Sequence, residues 1–255
     1  MNQTGWKERR FFILAGEASG DHHGASLMKA MTTADPRCRF AGIGGDLMVA
    51  AGLECLVPAR KMALVGVVEV IRHLPFMLKV MSRVLKFVRQ WQPERVVLID
   101  YPGFNLRLAK KLHRLGVKAT YYISPQLWAW KEGRVATIRS CVDQMLVIFP
   151  FEEQWYKDRG VQARFVGHPI LEEPLPGMDR EAFLASHGLD PAEPVLTLFP
   201  GSRKQELDRH LNLFLDAATR LKETLPNLQI VVGLANTLNT DTLPGNLAPE
   251  IKVVS

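Results

Sequence analysis

The chain has 255 residues, 47% hydrophobic and 23% charged, a balance that suits a folded globular protein and argues against disorder. Its three cysteines, Cys38, Cys55 and Cys141, stand far apart with no CxxC pair and no Cys/His cluster, so neither a disulfide framework nor a zinc site is implied, in keeping with a reducing cytoplasm. The net charge of +6 is uneven: residues 1–150 carry 22 Lys/Arg against 11 Asp/Glu, and residues 151–255 carry 10 against 15, so the first half is expected to face something anionic.

An acidic membrane surface or a phosphorylated substrate fits that basic half better than nucleic acid, for which no binding motif is present. The basic "KERR" before "FFILAG" imitates a signal peptide, but the apolar run is six residues long and meets Glu17 where small residues would be needed. No apolar stretch reaches the roughly 20 residues that a spanning helix needs.

In chain order the pattern is strand, glycine turn, helix, repeated. "RFFILAG" reads as a strand and "EASGDHHGASLMKAM" as a turn entering a helix. "CRFAGIGG" and "LECLVP" read as short strands. Val67 to Val88 places apolar residues at spacings of three and four, which predicts a long helix that Pro75 kinks or splits. "RVVLID", "KATYYIS", "QMLVIFP" and "ARFVGHP" are continuous apolar runs, as expected of strands buried on both faces of a parallel sheet. Strands alternating with helices predict a doubly wound α/β fold. The proline-rich "GHPILEEPLPGM" is the best linker, which divides the chain into residues 1–168, a linker at 169–178, and a second Rossmann-like unit at 179–255. That second unit, with "PVLTLFPG", "QELDRHLNLFLDAATRLKETL", "LQIVVGL" and the start of a strand at "EIKVVS", reads as incomplete, either the front part of a longer protein or a naturally truncated product.

Ligands of open parallel sheets bind beyond the carboxyl ends of the strands. Asp100, at the end of "RVVLID", is either a turn former or a catalytic carboxylate held at the lip of the sheet, and Asn105 reads as the cap of the helix that follows. In "GEASGDHHG", Gly16 and Gly20 allow close backbone approach, while Glu17 would repel a pyrophosphate; Ser19 or Asp21 could simply cap the helix. In "SPQLWAW", Gln126, Trp128 and Trp130 could line a sugar or acyl pocket or could pack in a core. "FPGSRKQE" offers Gly201, Ser202 and Arg203 as a seat for a diphosphate, or else a plain turn with Ser202 as N-cap and Glu206 as its capping-box partner. The helix from Val67 carries Arg72, Lys79, Arg83 and Lys86 beside its apolar stripe, so it either packs on the sheet or lies at a membrane interface, with Val68, Ile71, Leu74, Met77 and Leu78 as the membrane-facing positions. No DxD motif occurs, so a transferred nucleotide would be met by helix dipole and arginine rather than by a DxD-bound metal.

Eight motifs, "AGEASGDHHGASLMKAM", "GIGGDLMVAAGLE", "MALVGVVEVIRHLP", "LIDYPGFNLRLAKKL", "YYISPQLWAW", "MLVIFPFEEQWY", "FVGHP" and "FPGSRKQEL", occur in the order found in the lipid A disaccharide synthase family, which the chain resembles over nearly its whole length. The resemblance implies a GT-B glycosyltransferase with two Rossmann-like domains, cytoplasmic and peripheral on the inner membrane of a Gram-negative bacterium, with no cofactor. It implies a reaction joining UDP-2,3-diacylglucosamine to 2,3-diacylglucosamine 1-phosphate, giving a disaccharide 1-phosphate and UDP with inversion. By position, Asp100 matches the catalytic aspartate, Glu17 and Asp21 the acids of the first loop, and Arg203 and Asn236 residues of the donor side. A later segment of the family that helps to hold UDP has no counterpart here, so an inactive piece that only binds membrane or substrate remains an alternative, as does another GT-B nucleotide-sugar enzyme. Homo-oligomerisation is left open.

Overall fold

Side chains alternate along β1 (Arg9–Ala15) between two apolar layers: Phe12 and Leu14 enter one core, and Phe11, Ile13 and Ala15 enter another. A strand that is apolar on both faces has to be covered on both, and β1 is an interior strand, third of the seven in its sheet. The computed structural model describes residues 7–62, 67–172, 177–235, 238–243 and 247–254, with the side chains of 67–73 outside that description. The chain forms two compact units, Met1–Glu173 and Pro174–Ser255, and the division falls within the proline-rich stretch.

In the first unit β1 leads through α1 (Ala18–Ala34) to β2 (Cys38–Gly44), then through α2 (Asp46–Ala50) to β3 (Leu53–Pro58). The chain then crosses the sheet through α3 (Val67–Trp91) to β4 (Arg95–Ile99) and continues as α4 (Pro102–Arg114), β5 (Ala119–Tyr122), α5 (Val135–Cys141), β6 (Gln144–Val147), α6 (Pro150–Lys157) and β7 (Ala163–Phe165). The strand order is β3-β2-β1-β4-β5-β6-β7 and every pairing is parallel. The order reverses between β1 and β4, where Leu14 pairs with Leu98 and Ala15 with Ile99. Helix α1 supplies Ala25 and Met28 to one core, and Val80, Val84 and Val88 of α3 join Leu108 of α4 and Tyr156 of α6 in the other. This is the doubly wound arrangement that the alternating pattern predicts.

Helix α3 runs 25 residues with Pro75 inside it, so the proline does not split it. Met77 is half-buried and packs against the core, contrary to the membrane-facing reading of its position, whereas Leu74 and Leu78 are 46% and 61% exposed. Val68 and Ile71 are among the side chains not described.

The second unit contains α7 (Arg180–Ser186), β8 (Val195–Leu198), α8 (Lys204–Thr224), β9 (Gln229–Gly233) and β10 (Lys252–Val254). Its strands form a parallel sheet in the order β10-β9-β8. Leu207, Leu211 and Ala218 of α8 pack on Ile230 and Val232 of β9.

Candidate active site

The register of β1 with β4 brings two acids off neighbouring strands at one level: Glu17 follows Ala15 by two residues, and Asp100 follows Ile99 directly. Glu17 is the N-cap of α1, yet its carboxylate does not cap that helix. Asp100 is held in a left-handed conformation with φ 42°, and Tyr101 follows with φ 47°. Two consecutive non-glycine residues there store strain of about 1–3 kcal/mol each, which surrounding bonds must hold in place.

Those bonds are specific. The Asp100 N–H donates to the Tyr122 carbonyl at 3.1 Å, and the Asp100 carbonyl accepts from the Tyr121 hydroxyl at 2.6 Å and from Asn105 Nδ2 at 2.7 Å. Asn105 Nδ2 also donates to the Ile99 carbonyl at 3.1 Å. Tyr101 turns its ring toward Gly16 and donates its hydroxyl to the Met62 carbonyl at 2.7 Å. The N-cap of α4 is Tyr101, with Pro102 opening the helix; Asn105 lies inside α4, fully buried, and serves the strand end rather than the cap.

Burial pushes the Asp100 carboxyl up to about 6, and the negative charge of Glu17 adds to the rise, against an opposing effect of the Tyr101 N–H. The same two causes push the Tyr101 phenol up to about 12, and burial raises the Tyr121 phenol well above its usual value, so both stay protonated donors. Asp100 also lines a cavity of about 280 Å³ at the carboxyl ends of β4, β5 and β6, with Ser124, Gln126, Trp130, Arg134 and Phe149 among its walls. A larger cavity of about 710 Å³ opens at the opposite ends of the strands, but there Glu94, the one acid among the described residues that line it, is paired with Arg9 at 2.9 Å, and Arg95 donates to Thr120 at 3.0 Å.

The other sequence-derived residues separate by role. Asp21 is buried, and its carboxylate accepts the N–H groups of Gly45 at 2.7 Å, Met48 at 3.0 Å and Leu47 at 3.1 Å. It therefore caps α2, the neighbouring helix on the same face of the sheet, instead of its own helix, and anchors the "GIGGDLM" loop. Ser19 is exposed in the first turn of α1. Gln126 and Trp130 line the cavity with Asp100, whereas Trp128 is edge-on to Phe151, with ring centroids 5.2 Å apart, and donates Nε1 to Glu152 at 3.3 Å.

Glu152 is a site residue that the sequence reading passed over. It is 1% exposed and accepts from the Ser124 hydroxyl, from Trp128 Nε1, and from the N–H groups of Ile148 and Phe149. One carboxylate thus ties the loop after β5 to the start of α6. The signal was present as Pro150 followed by Glu152, a helix-opening proline with an acid at the third helical position.

In the second unit, Gly201 has φ 132° and an added Cβ there would meet Glu206. The N-cap of α8 is Arg203, not Ser202, and Glu206 accepts the N–H groups of Ser202 at 2.9 Å and Arg203 at 3.2 Å. The Arg203 guanidinium pairs with the same carboxylate at 3.1 Å. The donors expected to meet a diphosphate are thus held by an internal carboxylate, whose own pKa those bonds lower. Asn236 lies outside the described residues. Among the described residues no three His, Cys, Asp or Glu side chains converge to hold a metal ion.

Comparison with known proteins gives this geometry a family. The chain is 46% identical over 237 residues to a lipid-A-disaccharide synthase of Trichlorobacter lovleyi, covering 93% of this chain and 62% of that protein. It is 40% identical over 242 residues to one of Coxiella burnetii, covering 95% and 64%. The chain thus spans just over three fifths of the length of the curated relatives it matches. Among solved structures it is similar in fold to a UDP-GlcNAc 2-epimerase from Neisseria meningitidis bound to UDP-GlcNAc, with TM-score 0.60, 8% identity, and 98% and 72% of the two chains covered. It is also similar to a UGT transferase from Siraitia grosvenorii in complex with UDP, with TM-score 0.55, 11% identity, and 97% and 73% covered. These likenesses show the fold, a partial GT-B chain built from parallel α/β units. The family model described as lipid-A-disaccharide synthetase matches residues 11–249, nearly the whole chain, and the chain belongs to that family.

Proposed function

We propose that this protein carries the acceptor site and part of the donor site of a glycosyltransferase of lipid A assembly. The reaction joins UDP-2,3-diacylglucosamine to 2,3-diacylglucosamine 1-phosphate and yields the β-1,6-linked disaccharide 1-phosphate and UDP. The observation that carries this reading is Asp100: a carboxylate raised to about 6, at the topological switch point, lining a cavity the size of a ligand head group. At neutral pH it is ionised, yet it is more basic than an ordinary carboxylate, which suits the removal of a hydroxyl proton.

The steps follow from that placement. The acceptor's 6-hydroxyl gives its proton to Asp100 as its oxygen attacks the anomeric carbon of the donor sugar. The bond to UDP breaks on the opposite face, so the configuration inverts. The charge that develops on UDP is met by Gly201, Ser202 and Arg203, with Asn236 as a further donor-side residue. Diphosphate oxygens take over N–H groups that Glu206 holds in this structure. Glu17 is a second acid of the site that keeps Asp100 basic, and Asp21 is a positioning residue for the neighbouring loop. Gln126 and Trp130 contact the acceptor sugar, while Ser19 and Trp128 border the site.

We further read α3 as a contact with the inner-membrane surface where both lipid substrates reside, on the cytoplasmic side. Leu74 and Leu78 are exposed beside the exposed cations Lys79, Arg83 and Lys86. Among the described residues no helix is long and apolar enough to cross a membrane.

The test uses the full-length protein with both acylated substrates and follows UDP release and the disaccharide product. Turnover lost in Asp100→Asn with the fold retained supports the reading, and near-wild-type turnover sinks it. Turnover of unacylated UDP-GlcNAc to an epimer would replace it with a nucleotide-sugar epimerase. Co-sedimentation with anionic vesicles, weakened by Leu74→Ser with Leu78→Ser, tests the membrane contact separately.

A further inference from the structure

The cavity that holds Asp100 has one cation among the described residues that line it, Arg134, and Asp100 is its one acid. Arg134 closes the short turn Glu132–Arg134 that leads into α5. The acids near it are engaged elsewhere: Glu132 pairs with Arg159 at 2.7 Å, and Glu152 is filled by Ser124, Trp128 and two backbone N–H groups. Lys131, the nearest other cation in sequence, stands over the Trp130 ring, 4.1 Å from its centroid. Among the described residues no acid pairs with the Arg134 guanidinium, although it is only half-exposed. A half-buried arginine whose guanidinium has no acid partner among the described residues, in the wall of a cavity whose one other charged lining residue is Asp100, is a ready receptor for a ligand anion.

We propose that Arg134 is the specificity-determining residue for the acceptor, binding the phosphate monoester on its anomeric carbon. The inference rests on the transferase reading above and adds to it the means by which a phosphorylated sugar is selected. The chemistry of the acceptor supports it. In a hexopyranose the carbon that bears the anomeric phosphate and the carbon that bears the CH2OH arm flank the same ring oxygen. One small cavity with a base and a cation can therefore serve both groups of a single ring. Asp100 takes the hydroxyl end, Arg134 takes the phosphate, and Trp130 and Phe149 supply apolar walls between them. The planar fork of Arg134 suits two phosphate oxygens at once, which a lysine's point charge reproduces only in part.

The experiment compares the full-length wild type with Arg134→Ala and Arg134→Lys on two acceptors, diacylglucosamine 1-phosphate and the same lipid without its phosphate. Arg134→Ala is expected to raise the KM of the phosphorylated acceptor by about ten- to a hundredfold, the range of a charge-assisted hydrogen bond. The KM of the UDP-sugar stays as in the wild type, and kcat at saturating acceptor falls by less than about threefold on the same scale. Removing the phosphate should penalise the wild type by a similar factor and Arg134→Ala hardly at all, with Arg134→Lys between them. An equal loss on both acceptors, or a rise confined to the KM of the UDP-sugar, overturns the proposal. A separate titration with soluble glucosamine 1-phosphate, with glucosamine as control, needs no turnover. Phosphate-dependent binding lost in Arg134→Ala upholds Arg134 even if the transfer reaction is refuted, and binding unchanged in that variant overturns it even if transfer is confirmed.

Discussion

The ring of Tyr101 lies so close to Gly16 that a β-carbon at residue 16 would stand 2.6 Å from two of its ring atoms. The end of β1 and the end of β4 are therefore packed backbone against ring, and the absence of a side chain at 16 sets the direction of the residue before Tyr101, which is Asp100. Gly16→Ala should force the Tyr101 ring away, weaken its hydroxyl bond to Met62, and turn the Asp100 carboxylate. We expect a loss of stability of about 1–3 kcal/mol, as for other overpacked sites, and a fall in kcat larger than that loss explains. Thermal unfolding and steady-state kinetics on one preparation check both.

Asp100→Asn should separate stability from activity. Burial and Glu17 raise the folded carboxyl from 3.8 to about 6, so the folded state binds the proton more tightly than the unfolded chain does. The resulting stability is fully present below about pH 4 and is lost as pH rises through about 6. At pH 7 and above the ionised carboxylate therefore costs the fold, by up to about 3 kcal/mol for a shift of this size. A neutral asparagine avoids that cost and tolerates positive φ well. The variant should thus be inactive and melt higher than the wild type at pH 8, with the difference shrinking toward pH 4. A lower melting temperature at pH 8 would contradict this.

The same carboxyl governs the rate. As the base, Asp100 works only when ionised, so kcat/KM should rise with pH and level off above an apparent value near 6. Glu17→Gln removes one cause of the raised value, and the rising limb should move to lower pH. A limb that stays in place in that variant would show that Glu17 does not act on Asp100.

Asn105 holds the strained turn from below through two bonds to the Ile99 and Asp100 carbonyls. Asn105→Ala removes a donor from each carbonyl, leaving that of Asp100 with the Tyr121 hydroxyl, and should cost about 1–3 kcal/mol. Asn105→Asp keeps the shape but sets a carboxylate oxygen against those carbonyls and should be no better. Chemical denaturation of the three proteins orders them.

Glu152 holds the loop that carries Ser124, Gln126 and Trp130 beside Asp100. Glu152→Ala should destabilise the fold by about 2–4 kcal/mol and raise the acceptor KM. Glu152→Gln, which keeps the volume and part of the bonding, should restore some of both. Fluorescence of Trp128, whose indole N–H bonds to Glu152, reports the loop directly.

Periodicity alone determined much of this protein. Continuous apolar runs separated by helical spacing lead to parallel strands buried on both faces, because only a doubly covered sheet can use such strands. The carboxyl ends of those strands then mark where ligands sit, so Asp100, Glu17, Gln126 and Trp130 were legible as candidates before any coordinates. The tertiary structure alone decided what each side chain does. Asp21, Asn105 and Glu152 are short-range puzzles in the sequence, because their partners lie 24–27, 5–6 and 3–28 residues away. Asp21 caps a helix on the next strand, Asn105 braces the strand it follows, and Met77 turns inward on a helix whose neighbours Leu74 and Leu78 face out. The raised carboxyl of Asp100 has the same origin. Burial and a like charge from a different strand set it, and neither can be read from the residues beside it in the chain.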